Sequence, residues 1–427
     1  MGREKRNFPR PKAGVNSRPL TPTPADMNPT DPIASTADIS PHGAADPAIT
    51  ESAALPNRAY TSHDDWLKER DTVIAQTWAG LGFSSDIAEA GSVYPITFMG
   101  LPLVMVRDQH GRARVFHNVC RHRGMQLVAE AGDAGLVIRC PYHKWGYDLS
   151  GQLKTTPNIG GMGVHEVAGF DCADHTLTGV RCDESMGVVF INLSGTAPTL
   201  SEHLEPLLSR WRDLAGSKFD QQLFADTTEH GSMELVLNSN YKLAVENYCE
   251  SYHLPFVHPD LNTYSPLDAH YNLTVDPLAS GQGTRVYDLT RGDSEPLPQF
   301  SEWDSERLKT AEYLSLYPNV LLGIQADHFF VILLMSETVD QTRERLQFYY
   351  ANTAATDGAY RARRESLHAA WGSVFAEDIS VVEGMQRGRA SPAFDGGLFT
   401  PLMDVPTHHF HQWLLSRLEQ NTTRAVS

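Results

Sequence analysis

Two hydrophobic periodicities divide the chain. In TSHDDWLKERDTVIAQTWAGLGF (61–83), Trp66, Val73, Ile74 and Trp78 recur at helical spacing behind Thr61 or Ser62, either of which can cap a helix. From 92 to about 195 the runs become short and β-branched: VYPITFMGLPLVMVRD, ARVFHNV, GLVIRC, GQLKTT and MGVVFINLS, broken by Gly, Asp and Asn. That pattern predicts an antiparallel all-β module. A charged amphipathic helix is predicted over 201–214, and a second β-rich stretch starts near 221. Residues 238–260 read as a helix interrupted by Pro255; NVLLGIQADHFFVILLMSE (319–337) and RERLQFYYANT (343–353) read as buried strands, and helical patterns cover 357–390 and 406–419. The economical partition is a disordered tail (1–55), a helical segment (56–90), a small all-β domain (91–200) and a larger α+β domain (201–427). The tail is rich in Pro, Ala, Thr and Ser and has almost no aromatics, so it cannot bury enough apolar surface to offset its ordering entropy.

Composition narrows the function. With 41% hydrophobic and 20% charged residues over 427 positions, the chain has ample core for two domains. A formal net charge of −17 argues against nucleic acid, whose phosphates must be met by clustered Lys and Arg, and leaves an acidic face for a basic protein partner. No apolar run approaches the roughly 20 residues that span a bilayer, and MGREKR leads into prolines instead of a signal-peptide core, so a cytoplasmic protein without membrane contact is expected. Five cysteines are odd in number and sparse, which speaks for reduced thiols.

CRHRG (120–124) and CPYHKWGYD (140–148) each offer one cysteine and one histidine. A zinc finger usually pairs like with like. Mixed pairs let two facing loops put both thiolates, Cys120 and Cys140, on one metal and both imidazoles, His122 and His143, on another, as a [2Fe–2S] cluster with unlike irons requires. Gly124 permits a tight turn, and Tyr142, Trp145 and Tyr147 can shield the cluster, with tyrosine hydroxyls available to its sulfurs. The competing reading is a zinc site or four unconnected packed residues. Cys172, Cys182 and Cys249 lack ligand spacing and read as buried free thiols.

NSNYKLAVENYCESYHLPFVHPD (238–260) carries Glu246, Asn247, Glu250, His253 and His258. On a continuous helix 246, 250 and 253 share a face, and Pro255 then forces His258 back from a turn. Two histidines converging across a break suit neighbouring positions on Fe(II), which would take a carboxylate as third ligand. Spacing leaves Glu377, Asp378 and Glu383 of AEDISVVEGMQRG open for that place. Glu250, one turn before His253, can accept that ring's second N–H.

Together the two constellations resemble the Rieske non-heme iron oxygenases of the large (α) subunit type, over about 60–420. The resemblance implies an α+β fold: a small all-β Rieske [2Fe–2S] domain and a larger helix-grip-like catalytic domain with antiparallel sheet and helices. It selects Asp378, eight residues before Gln386-Arg387-Gly388, as the third iron ligand. It also puts Glu250 and Asn247 in the catalytic machinery, with Glu250 reaching His143 of a neighbouring chain in a homotrimer, or an assembly with three small subunits. The implied chemistry uses O2, a mononuclear Fe(II), and NAD(P)H only through a separate flavin- or ferredoxin-type reductase. This chain carries neither a G-x-G-x-x-G (Val286 stands where the third glycine after Gly281 and Gly283 would fall) nor a ferredoxin cysteine pattern. Glutamate at 250, where ring dihydroxylases usually have aspartate, resembles the group acting on choline, carnitine and betaines. That favours hydroxylation or N-dealkylation of a small quaternary ammonium substrate, held by aromatics drawn from Tyr248, Tyr252, Tyr264, Phe329, Phe330, Tyr349 and Tyr350. The alternatives are an aromatic ring-hydroxylating mono- or dioxygenase and, from another class, a non-catalytic Rieske electron carrier. Lys144 stands where the family commonly has glycine, and the histidines of THHFHQW (407–413) read as packing and surface.

Overall fold

The computed structural model describes residues 47–288 and 296–424. Seven antiparallel strands form the first sheet, in the order Ala79–Phe83, Val188–Asn192, Gly179–Ser185, Ala113–His117, Leu101–Arg107, Ser92–Phe98 and Gly132–Asp133. A three-stranded sheet, Val137–Arg139, Gly146–Asp148 and Leu153–Thr155, adjoins it. The second large sheet runs Leu223–Ala225, Gln341–Ala351, His328–Thr338, Val320–Ile324, Ala311–Leu316, Ala279–Thr284 and His270–Val275, and Ser232–Leu237 also pairs with Gln341–Ala351. The first module keeps an apolar core of its own, around Val104, Phe116, Ile138, Trp145 and Leu153. Strand His328–Thr338 is buried on both faces along most of its length, hence its unbroken run FFVILLM.

Helix α1 (Leu200–Ala215) shows how the sequence sets an element. Thr199 and Glu202 form a reciprocal capping box, and Leu200, Leu204, Leu207, Trp211 and Leu214 fall on one face at steps of three and four. Trp211 packs edge-on against Phe219 and Phe329, and its indole N–H donates to Glu312, which Arg210 holds through two nitrogens. His203, on the flank of this helix, has a buried Nε2 without a hydrogen-bond partner. Burial, with Arg417 nearby, pushes its pKa down to about 4. The unfolded chain therefore takes up this proton first. Stability should fall as pH drops from about 6.5 to 4, by up to ~1.4 kcal/mol per pH unit, and level off below. Denaturation of wild type and His203→Leu across that range measures the difference: the variant should lose this part of the slope.

Three expectations change. The expected tail (1–55) lies outside the described residues up to 46, but Pro47–Thr50 forms a helical turn, and Ile49 and Leu55 are buried. The amide of Leu55 donates to His411 of the last helix, an anchor invisible to composition. The helical pattern of 61–83 stops at Thr72, and Ala79–Phe83 is an edge strand of the first sheet. It abuts the second sheet: a Cβ on Gly80 would lie 2.6 Å from Val320 and 2.7 Å from Leu333, and the Asn319 side chain pairs with both the N–H and the C=O of Gly80. The 238–260 helix breaks earlier than Pro255 suggested. Helix α2 (Tyr241–Cys249) ends before Glu250, whose backbone is extended, and Pro255 opens a short new turn, Leu254–Val257.

Candidate cluster and iron sites

The two Cys/His loops are built alike. Each closes on its cysteine, with the Gly124 N–H donating to the Cys120 C=O and the Lys144 N–H to the Cys140 C=O. Both closing residues lie in the left-handed region, Gly124 at φ 74° and Lys144 at φ 60°. This explains the glycine common at the second position and marks Lys144 as the strained exception. The thiols are buried. The rings of His122 and His143 lie 4.7 Å apart toward the surface, and Trp145 stacks on His122 at 12°. Tyr147 sends its hydroxyl to within 3.4 Å of the Cys120 sulfur and accepts the Arg121 N–H. Tyr142, expected as a shield, is exposed. Asn118, which sequence reasoning missed, holds the first loop shut by bonding Leu127 and Val128 through both ends of its amide.

The second constellation meets helix α3 (Arg361–Gly388). One ligand-type atom from each of His253, His258 and Asp378 falls within 4.8 Å of the others. The Nε2 atoms of His258 and His253 stand 3.0 and 3.8 Å from Asp378 Oδ1. That oxygen is nonetheless buried and, by bond geometry, without a hydrogen-bond partner. Meanwhile each Nδ1 is taken by a carboxylate, Glu250 at 2.6 Å on His253 and Glu377 at 2.7 Å on His258. Two rings tied from behind, with their free nitrogens and one orphaned carboxylate oxygen sharing a point, fit a divalent metal. Burial opposes charge on His258, but Asp378 and Glu377 overcome it and hold its pKa above the usual value. Glu377, one of the three carboxylates that spacing left open, thus stands behind a histidine, and Glu383 is engaged with Asn238. Glu250 also caps the following turn, its other oxygen accepting the N–H groups of Tyr252 and His253.

Glu246 belongs elsewhere. It is buried among Tyr60, His411 and Arg389 and ties α2 to the N-terminal segment and the last helix. His409 likewise bonds Tyr317 and Asp276, so THHFHQW is packing. Asn247 and Tyr248 line a cavity beside the three ligand-type residues, closed by Tyr313, Trp371, Val374 and Phe375. Of the aromatics singled out from sequence only Tyr248 lies there: Phe329, Phe330, Tyr349 and Tyr350 are core, and Tyr252 is exposed. Tyr313, Trp371 and Phe375 were missed because their strand and helix patterns are those of ordinary core residues. Glu344, buried next to Asn247, Tyr248 and Asp378, was missed too; burial and the charge of Asp378 push its pKa up to about 8.

Comparison with known proteins agrees with both halves. A Rieske [2Fe-2S] domain model matches residues 77–168, and a model of the ring hydroxylating alpha subunit (catalytic domain) matches 224–420. The chain belongs to the Rieske non-heme iron oxygenases. Relatives of this Rieske oxygenase include the carnitine monooxygenase oxygenase subunit of Escherichia coli (strain K12), 28% identical over 349 residues that cover 81% of this chain and 87% of that protein. The chloroplastic choline monooxygenase of Arabidopsis thaliana is 26% identical over 371 residues, covering 85% and 82%. The fold is that of the quaternary ammonium Rieske monooxygenase CntA (TM-score 0.70, 22% identity, 86% of this chain and 95% of that one). It is shared with naphthalene 1,2-dioxygenase from Rhodococcus sp. (TM-score 0.65, 18% identity, 86% and 94%). The Rieske oxygenase is thus an oxidoreductase with a [2Fe–2S] cluster and a mononuclear iron, served by a partner reductase and acting on a small molecule. Among the described residues no helix is long and apolar enough to cross a membrane.

Proposed function

We propose that Cys120, His122, Cys140 and His143 hold the cluster, that His253, His258 and Asp378 hold the iron, and that the substrate is a small quaternary ammonium or N-methyl compound hydroxylated at a carbon next to nitrogen. The observation that carries the iron site is the orphaned Asp378 Oδ1 facing two histidines whose Nδ1 atoms are already claimed. The iron, when bound, supplies oxygen activation with two electrons and two protons per O2, putting one oxygen atom into a C–H bond and the other into water. The chain's own part is to fix both rings through Glu250 and Glu377, to offer Asn247 at the cavity wall, and to exclude water with Tyr248, Tyr313, Trp371 and Phe375. These aromatics, one from α2, one from the sheet and two from α3, provide π-faces for a cation that cannot be neutralised by losing a proton. The carnitine, choline and betaine relatives support the same substrate class. Titration of the iron-loaded protein with tetramethylammonium and with indole separates this from an arene hydroxylase: heat or a fluorescence change with the cation is expected, and a response to indole alone would sink the reading.

The domain division is drawn near 200, after the last strand of the first sheet. A homotrimer, joined head to tail, suits the surface. Met125 and Tyr142 are exposed around His122 and His143, and Tyr252 and Phe256 are exposed beside Glu250 and His253. Two different apolar patches on one chain make the heterologous contact that closes rings. That contact would set His143 of one chain near Glu250 of the next and cover both patches. The net charge of −17 suits a basic reductase face. Reductase-coupled turnover should therefore fall several-fold between 50 and 500 mM salt at subsaturating reductase, as about 14 and 4 Å Debye lengths imply, while dithionite reduction of the cluster stays unchanged.

A further inference from the structure

One aromatic of the cavity wall is tied to a buried base. Trp371, on α3, lines the cavity, and its indole N–H donates to His328 Nε2 at 3.0 Å. His328 Nδ1 stands 2.6 Å from Asp327 Oδ1. All three side chains are buried, His328 at 0% exposure and Asp327 at 3%. An indole nitrogen only donates, so Nε2 is the acceptor, and the neutral ring carries its proton on Nδ1, toward the carboxylate. A backbone carbonyl would satisfy a buried indole at lower cost than an imidazole backed by a buried carboxylate. What the pair adds is basicity: Asp327 strengthens a lone pair that is aimed along the N–H bond.

The indole is also well placed toward the iron site. Trp371 and Asp378 lie seven residues apart on α3, about 10 Å along its axis, and both border the same cavity. The rings of Tyr287, Tyr313, Phe330 and Phe375 surround the indole, with centroids 4.8 to 6.3 Å away. They keep solvent from it. His328 and Asp327 stand behind the cavity wall and not in it, so substrate binding does not account for them.

We propose that Trp371, His328 and Asp327 form a proton-coupled electron relay, which disarms the iron site when O2 is activated with no substrate in the cavity. In oxygenation the substrate's C–H bond consumes the oxidising power of O2; in an empty cavity that power is left beside the aromatic wall. One electron then leaves Trp371 for the oxidant that O2 has left at the iron site. The Nε1–H bond of Trp371 breaks, and its proton passes to His328 Nε2. A neutral indolyl radical remains, next to an imidazolium paired with the Asp327 carboxylate. The partner reductase's next electron, delivered through the cluster, refills the indole, and the proton returns from His328. The relay rests on the proposed iron site and is independent of the substrate class.

EPR of the reduced, cluster- and iron-loaded protein, mixed with O2 without substrate and freeze-quenched, tests the relay. Wild type should show an organic radical whose signal narrows when the protein is made with ring-deuterated tryptophan. Trp371→Phe should abolish it. His328→Gln leaves a carbonyl for the indole N–H to bond but supplies no base, so the signal should fall several-fold, whereas a merely structural histidine would be replaced without loss. After prolonged exposure to O2, peptide mass spectrometry should find oxygenated side chains around His253, His258 and Asp378 several-fold more often in both variants than in wild type. The relay is overturned, and the iron site left standing, by a radical that survives Trp371→Phe, by His328→Gln behaving as wild type, or by iron-loaded wild type that forms no radical. Protein that takes up no mononuclear iron overturns the iron reading, and the relay loses its oxidant with it.

Discussion

Asp378→Ala should leave the protein brown and inactive. With one of three proposed ligands removed, mononuclear iron should drop from about one per chain toward none, because even the residues behind a metal-bound histidine typically change affinity by about 10–100-fold and a direct ligand does more. Product formation should fall at least as far. The cluster should persist, since its loops rest on the apolar core of Val104, Phe116, Ile138 and Leu153, which contributes nothing to the second site. Iron and sulfide analysis beside the EPR spectrum of the reduced protein reads both sites: about three irons to two sulfides per chain in wild type, about two to two in the variant. Undiminished product formation by Asp378→Ala would refute the assignment.

Glu250→Gln is expected to separate metal content from turnover. Glu250 accepts from the ring of His253 with one oxygen and from two backbone N–H groups with the other, in the extended stretch just after α2. A glutamine preserves size and can keep one of those contacts, but it removes the charge that fixes the imidazole as an Nδ1–H donor. We expect both metals to be retained and turnover to fall by about 10–100-fold. Reoxidation of the pre-reduced cluster in the presence of substrate and O2, followed by stopped-flow absorbance, should slow in parallel if the residue also joins two subunits. Slow product formation with normal cluster reoxidation would confine Glu250 to the ring of its own histidine.

Much of this architecture is written in local spacing. Mixed Cys/His pairs in two turn-rich loops survive without knowledge of the fold, and so do two histidines either side of a proline. The choice among Glu377, Asp378 and Glu383 does not. These three leave α3 in directions that only its packing against α2 decides, and the structure gives one to the ligand cluster, one to His258 and one to Asn238. The helix break was misplaced by one short turn because a proline is as comfortable opening a helix as ending one. The cavity wall was hidden for a different reason. Tyr313 and Trp371 obey the same hydrophobic periodicity as Phe329 and Phe348, and a sequence does not record which core residue borders empty space.

The contact between Gly80 and Asn319 bears on recombination among relatives. Modular electron-transfer proteins invite the exchange of a whole redox head for one of different potential. Here the outermost strand of that head is stitched by both backbone groups of Gly80 to an asparagine of the other half, in a gap too narrow for any side chain. A graft cut near residue 200 would part α1 from the Thr199 that caps it, and it would also bring a foreign residue to position 80 against a native Asn319. Successful hybrids should therefore be those in which 80 and 319 come from the same parent, and a library scored for soluble, brown protein would display that linkage directly.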